Sequence, residues 1–186
     1  MILSKKNYKI AIFLFLFLAF FISSFFFFSC KRAKINQKPD ISGCFLREEK
    51  IIQGDSMEPL LSNGMEITLL SNYYQCGYPI ERGDIIAYNF GGDKNPLIKI
   101  IKVLSSDEVE VHGAKLKVNG EFLKNSKGSE YSFSEQQLAI MSLYIKNNHI
   151  PENSFFIFGD NISDSKDSRK FGAVSSRDFL GKFVVE

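Results

Sequence analysis

Residues 10–29 contain no charged side chain and run almost wholly through Phe, Leu, Ile and Ala. Lys5, Lys6 and Lys9 precede them, and Lys31, Arg32 and Lys34 follow. As a helix rising about 1.5 Å per residue, this run would span about 30 Å, the thickness of the hydrocarbon core of a bilayer. A cleaved leader is the competing reading. The run exceeds the usual apolar segment of such leaders, about 7–15 residues, and no small-x-small site precedes the basic cluster. The expectation is therefore a retained transmembrane signal anchor over residues 10–29, behind a basic tail at residues 1–9. Basic residues flank both ends alike, so charge alone does not orient the anchor. Cys30 follows the bulky Phe27 and Phe28, a poor setting for lipid attachment, and reads as an incidental interfacial residue.

Beyond the anchor, a chain of 186 residues leaves room for one compact domain. The formal net charge of +2 gives no sign of a nucleic-acid partner. Residues 30–49 are basic and polar and read as a stalk, with the folded domain expected over residues 50–186. Within it, strands are expected at Met65 to Leu70, Ile85 to Tyr88, Leu97 to Leu104, Glu108 to His112, Lys115 to Val118, Glu121 to Leu123, Phe155 to Phe158 and Phe183 to Val185. Asn119-Gly120 is a two-residue hairpin signal. Ser132 and Glu135 can form a capping box, and Leu138, Met141 and Ile145 share one helical face. A short helix from about Ser134 to Lys146 follows. The fold class is mainly β: a coiled or barrel-like antiparallel domain with one short helix. Cys44 and Cys76 could pair if the domain is exported, but three cysteines carry no spacing signature, and two free thiols are an equal reading.

Three stretches could carry chemistry. In Gln53-Gly54-Asp55-Ser56-Met57-Glu58-Pro59 a serine stands between a strand end and a proline-stiffened turn. Gly54 permits close backbone approach and Pro59 fixes φ, so Ser56 is displayed rather than packed. An ordinary turn is the plainer reading. His112 and His149 have no matching His or Cys cluster, so neither a metal site nor any cofactor is expected. Lysine is the other candidate base. It acts as a base only when neutral, which requires desolvation to lower a pKa of about 10.4. Lys99 and Lys102 both lie within an apolar strand. Alternation places Lys99 with Leu97, Ile101 and Val103, and Lys102 with Ile98, Ile100 and Leu104. Both faces are apolar, and either lysine could instead snorkel to solvent. The third stretch, Gly159 to Gly172, is too polar for a core. It can place hydroxyls beside a buried amine and brace itself with an Asp167–Arg169 ion pair.

Taken in order, four patches resemble the type I signal peptidases, membrane-anchored Ser-Lys proteases. They are Gly54-Asp55-Ser56-Met57-Glu58-Pro59-Leu60, Arg82-Gly83-Asp84-Ile85-Ile86, Ile98-Lys99, and Gly159-Asp160-Asn161 through Asp167-Ser168-Arg169 to Phe171-Gly172. The anchor and Leu180-Gly181-Lys182 fit as well. The resemblance implies Ser56 as nucleophile, Lys99 as general base, Ser165 as the hydroxyl that orients the lysine amine, and Asp167 with Arg169 as the bracing pair. Gly54, Met57 and Pro59 would shape the nucleophile turn. It implies exported preproteins as substrates and membrane lipids as surroundings, with the N-terminus cytoplasmic and the domain outside. A processing peptidase of the same clan, maturing a pilin or conjugation protein, would use the same residues. An inactive membrane-anchored β domain that binds or assembles partners is the reading from another class. Some members carry a hydroxyl where this chain has Gly54, commonly an Arg where it has Ile100, and Leu-Pro-Gly-Asp where it has Leu104-Ser105-Ser106-Asp107. Ile162 likewise stands in place of a common Arg.

Overall fold

The structure, a computed structural model, describes residues 43–91 and 95–185. The expected basic tail, anchor and most of the stalk lie outside the described residues. Among those described, no helix is long and apolar enough to cross a membrane.

Strands dominate because short β-branched and aromatic runs alternate with Gly- and Asn-bearing turns. In chain order they are β1 (Leu46–Ile51), β2 (Glu66–Ser71), β3 (Ile85–Tyr88), β4 (Leu97–Leu104), β5 (Val109–His112), β6 (Lys115–Val118) and β7 (Glu121–Phe122). After helix α1 (Glu135–Ser142) come β8 (Ser154–Phe158), the one-turn helix α2 (Ser168–Phe171), β9 (Val174–Ser175), a 3₁₀ turn (Ser176–Asp178) and β10 (Phe179–Val184). A seven-stranded sheet has the order β1-β2-β10-β3-β4-β8-β9, and β5-β6-β7 form a second, three-stranded sheet. Every pairing is antiparallel. The larger sheet is open, with β1 and β9 at its edges. The C-terminal strand β10 inserts between β2 and β3, joining the β1-β2 pair to the β3-β4 pair that carries Lys99.

Several expectations are corrected. The stalk was read to residue 49, yet β1 begins at Leu46 and pairs along its whole length with β2. Its polar residues belong on an edge strand, where Glu48, Glu49 and Lys50 face water or pair locally. The helix is capped by Ser134 with Gln137, not by Ser132 with Glu135. The physical reason is Phe133: it is buried, and its N–H donates to the Ala114 carbonyl at 2.8 Å, which keeps the chain extended through that residue. The helix also stops at Ser142, short of Lys146, because left-handed Asn147 and Asn148 close a tight turn bridging Lys146 to His149. A second helix, α2, adds to the one expected; Asp167 caps it by accepting from the Arg169 N–H. Asn119 and Gly120 both have positive φ, the geometry of the hairpin turn read from their sequence.

The face assignment in β4 also changes. Strict alternation put Leu104 with Ile98 and Ile100, whereas a register shift between Ile101 and Val103 reverses the pattern beyond it. Ile98 and Ile100 pack with Ile52, Met57, Leu61, Ile67 and Leu69. Leu104 instead joins Leu97 and Ile101 against Ile86, Ile157 and Phe179. Val103 enters a third cluster with Val109, Leu116, Met141 and Phe158, beneath the small sheet and α1.

Cys44 and Cys76 are joined in a disulfide, which resolves the two readings of these cysteines in favour of pairing. It fastens the chain just before edge strand β1 to the Tyr-rich loop after β2. The bridge spans a sequence separation of 32 residues, and loop-closure entropy assigns it about 3–4 kcal/mol. A Cys44→Ser, Cys76→Ser double variant is expected to lose that much in urea unfolding. A reductant should destabilise the parent protein equally and leave the variant unchanged. Equal midpoints for oxidised parent and variant would contradict the bridge's stabilising role.

Candidate active site

The segment after β1 is pinned before it is displayed. Ile52 and Leu61 bracket the turn, and Met57 stands inside it; all three are almost fully buried in one cluster. Burial at about 1.5–3 kcal/mol per large apolar side chain holds the intervening backbone against the sheet. Gly54 has φ +82, a conformation that L side chains rarely adopt, and its N–H donates to Asn63 Oδ1 at 3.1 Å. Inside the turn, Glu58 N–H donates to the Asp55 carbonyl at 3.0 Å and Leu61 N–H to Met57 at 2.9 Å. Ser56 is left half-buried between these anchors, with Pro59 beyond it.

Lys99 comes from β4, where Ile86 on β3 is its cross-strand partner. Its side chain is 1% exposed. The amine donates to Ser56 Oγ at 2.8 Å and to the Ile98 carbonyl at 2.6 Å. Burial pushes the amine down from 10.5 to about 8; the Asp167 carboxylate opposes that shift and the Arg169 guanidinium assists it. Lys102 lies elsewhere. Its amine donates to the Lys124 carbonyl at 2.9 Å and stands over the Tyr131 ring, and burial lowers its pKa as well. The two lysines that alternation alone leaves open are thus separated by geometry: Lys99 is the one whose amine meets Ser56.

The polar stretch after β8 closes the site from the other side. Asp167 and Arg169 form a buried two-pronged ion pair, Nε to Oδ1 at 2.8 Å and Nη2 to Oδ2 at 2.7 Å. Asp167 also accepts from Gly159 N–H at 2.9 Å, while Arg169 donates to the carbonyls of Asn161 and Ile162. Gly159 sits at the centre of this bracing. The Tyr131 hydroxyl donates to its carbonyl at 2.8 Å. A Cβ on Gly159 would lie 2.3 Å from both Ser165 Oγ and the Ser56 carbonyl oxygen. Ser165 is therefore packed beside the nucleophile turn, and its buried hydroxyl has no hydrogen-bond partner among the described residues.

Two departures from the resembling family find simple places. Ile100 is buried in the apolar cluster that holds the turn, and Ile162 contributes its backbone carbonyl to Arg169. The loss of Pro-Gly before Asp107 leaves the aspartate's bracing intact, since its carboxylate accepts from Leu104 N–H at 2.7 Å and pairs with Arg82. Sequence reasoning assigned no role to Tyr131, Asp160 or Asn161. Tyr131 has no local signal, being a lone tyrosine in a polar loop. Asp160, buried and bonded to Ser126, and Asn161, whose N–H donates to the Ser56 carbonyl at 3.1 Å, lie within the Gly159-Asp160-Asn161 patch, a signal that could have flagged them.

A groove of about 870 Å³ opens on Ser56 and Lys99 and runs along edge strand β1, past Ile52, Leu69, Ile98 and Phe183 to Glu48 and Lys50. Its apolar floor and a strand edge left unpaired among the described residues suit an extended peptide. Hydrogen bonds from Lys50 and Ser71 hold the Glu48 carboxyl below the usual range at the far end. Among the described residues, no group of three His, Cys, Asp or Glu side chains could hold a metal ion.

A family profile described as signal peptidase, peptidase S26, matches residues 5–186. Signal peptidase I P of Bacillus subtilis subsp. natto is 32% identical over 143 residues, covering 74% of this chain and 75% of that protein. Signal peptidase IB of Staphylococcus aureus is 28% identical over 151 residues, 76% of this chain and 78% of its own. A crystal structure of a signal peptidase I from Enterococcus faecalis is 26% identical, with a TM-score of 0.43, and the match covers 56% of this chain and 97% of that one. With nearly its whole length matched by the family profile, this chain belongs to the signal peptidase family, peptidase S26.

Proposed function

We propose that the protein is a signal peptidase that removes N-terminal leader peptides from exported preproteins, with Ser56 as nucleophile and Lys99 as general base. The observation that carries the reading is the 2.8 Å contact between a buried lysine amine and a displayed serine hydroxyl. Neutral Lys99 takes the Ser56 proton as Oγ attacks the scissile carbonyl. The resulting ammonium then protonates the leaving amine as the peptide bond breaks. Lys99, neutral again, draws a proton from water as it attacks the acyl-enzyme; the carbonyl carbon–Oγ bond then breaks, the ammonium returns the proton to Ser56 Oγ, and the leader's new carboxyl end is freed. Gly54 carries no hydroxyl, so the backbone N–H of Ser56 is left to hold the oxyanion. Ser165, whose buried hydroxyl is unpartnered among the described residues, is assigned the role of steadying the amine in this reading, and Asp167 with Arg169 that of bracing the loop.

Residues 10–29 serve in this reading as a single membrane anchor, with the N-terminus cytoplasmic and residues 50–186, with β1, as the catalytic domain outside. The Cys44–Cys76 disulfide supports an oxidising location for that domain. The leader binds extended in the groove beside β1. Cleavage of a purified preprotein, read by gel and by sequencing the new N-terminus, tests the function directly; an intact preprotein would refute it.

The pH dependence follows from the state of Lys99. The lysine works when neutral, and its amine titrates at about 8. Activity is expected to rise roughly tenfold from pH 7 to pH 9 and then level off. An unshifted lysine would instead give a climb continuing beyond pH 10, and that outcome would contradict a desolvated base.

A further inference from the structure

The mechanism leaves one question that the turn itself does not answer: what aims the Ser56 N–H. In a trans peptide the C=O and N–H of one unit point in opposite directions. The Asp55 carbonyl and the Ser56 N–H belong to the same unit, so whatever grips the carbonyl aims the N–H. Two donors grip it, Glu58 N–H at 3.0 Å and the side-chain amide of Asn161, through Nδ2, at 3.1 Å.

The Asn161 amide is itself oriented. Its Oδ1 accepts from Ser163 N–H at 3.1 Å, Ser163 Oγ at 2.8 Å and Asp164 N–H at 3.1 Å. Three donors on one atom identify it as the oxygen and leave Nδ2 facing Asp55. The Asn161 backbone N–H takes the next carbonyl along, that of Ser56, at 3.1 Å. One residue therefore holds both peptide units flanking the nucleophile. Asn161 and Glu58 border a shallow depression, whereas Gly54, Ser56 and Met57 border the groove. A Ser56 N–H antiparallel to the Asp55 carbonyl is turned away from Asn161.

We infer that Asn161 is a positioning residue whose side-chain amide, by holding the Asp55 carbonyl, orients the Ser56 N–H as oxyanion donor. It touches no reacting atom; it acts through the peptide unit. The inference rests on the Ser56–Lys99 reading of the site and adds to it the device that sets the donor.

Asn161→Asp is the discriminating substitution. It keeps an oxygen for the Ser163 and Asp164 donors but cannot donate to Asp55. Asn161→Ala removes both functions. Deleting an oxyanion donor outright costs about 10²–10³ in kcat, and a misaimed donor should cost about ten- to hundredfold. Steady-state cleavage of a leader peptide should show both variants reduced to that extent in kcat, with KM within about twofold of the parent. The pH midpoint of Asn161→Ala should stay at that of the parent, since Lys99 is untouched. Parent-like kcat in Asn161→Asp beside a defective Asn161→Ala would overturn the inference, because only the turn-building oxygen would then matter. A KM change equal to the kcat loss, or a displaced pH midpoint, would overturn it too, by pointing to a disturbed groove or base. A parent protein that cleaves no leader peptide would remove the reading of the site itself and the inference with it.

Discussion

Ser56→Ala and Lys99→Ala will each lower kcat/KM for preprotein cleavage by on the order of 10⁴-fold or more, and the double variant will be little worse than either. In the proposed mechanism one proton passes between the two side chains across their 2.8 Å contact, so each would be without function once the other is removed. Lys99→Arg should be as inactive as Lys99→Ala, because a guanidinium stays protonated at any working pH. Lys102→Ala provides the internal control. Its amine is engaged with the Lys124 carbonyl and the Tyr131 ring, so most activity should remain. Wild-type cleavage by Ser56→Ala would refute the nucleophile and favour a binding role for the domain. Equal loss in Lys102→Ala and Lys99→Ala would refute the choice of base.

Gly159→Ala will inactivate the enzyme by about 10²-fold or more while adding a single methyl group. That methyl would stand 2.3 Å from the Ser56 carbonyl oxygen and from Ser165 Oγ, closer than carbon approaches oxygen without bonding. Ser165 can turn its hydroxyl away but not its Cβ, which would stand 2.7 Å from the methyl, and the Ser56 carbonyl is backbone and can yield only by moving the nucleophile. Overpacking of this kind costs about 1–3 kcal/mol, so folding should survive while alignment does not. The Gly159 N–H bond to Asp167 and its carbonyl bond to Tyr131 prevent the glycine from retreating instead. Thermal unfolding beside kinetics separates the two effects. Gly43→Ala, at a glycine with nothing within 4 Å of its added Cβ, should be silent in both. Parent-like kcat/KM in Gly159→Ala would show that the close approach does not constrain the serine.

Much of the local structure was legible from side-chain pattern. The β-branched run Leu97–Leu104, the Asn119-Gly120 turn and the aromatic strand ending at Phe158 all form from preferences acting within a few residues. Errors arose where a distant contact outweighed the local preference. Ser132 offered an adequate cap, but the burial of Phe133 against the small sheet kept the chain extended past it. Leu104 departs from the alternation because β4 shifts register against β8 between Ile101 and Val103. The stalk reading failed at residues 46–49 because an edge strand with one solvated face has the same polar composition as a linker.

The site divides along the same line. Sequence alone was enough to mark Ser56 as displayed, since glycine before and proline after it limit the backbone wherever the turn is placed. It also marked Asp167 and Arg169, two residues apart, as able to pair. Strand pattern left Lys99 and Lys102 equivalent, because alternation in an apolar strand says which residues share a face and not what that face meets; only the resemblance singled out Lys99. Only the tertiary structure, by packing Ile52, Met57 and Leu61 against Ile98 and Ile100 of β4, carried the Ser56 turn to the amine of a lysine 43 residues away. It likewise closed the Cys44–Cys76 bridge and set Asn161 against a carbonyl 106 residues earlier. Conformational preference is a short-range property of the chain. A reactive geometry is a set of distances between segments that only the packed sheet can fix.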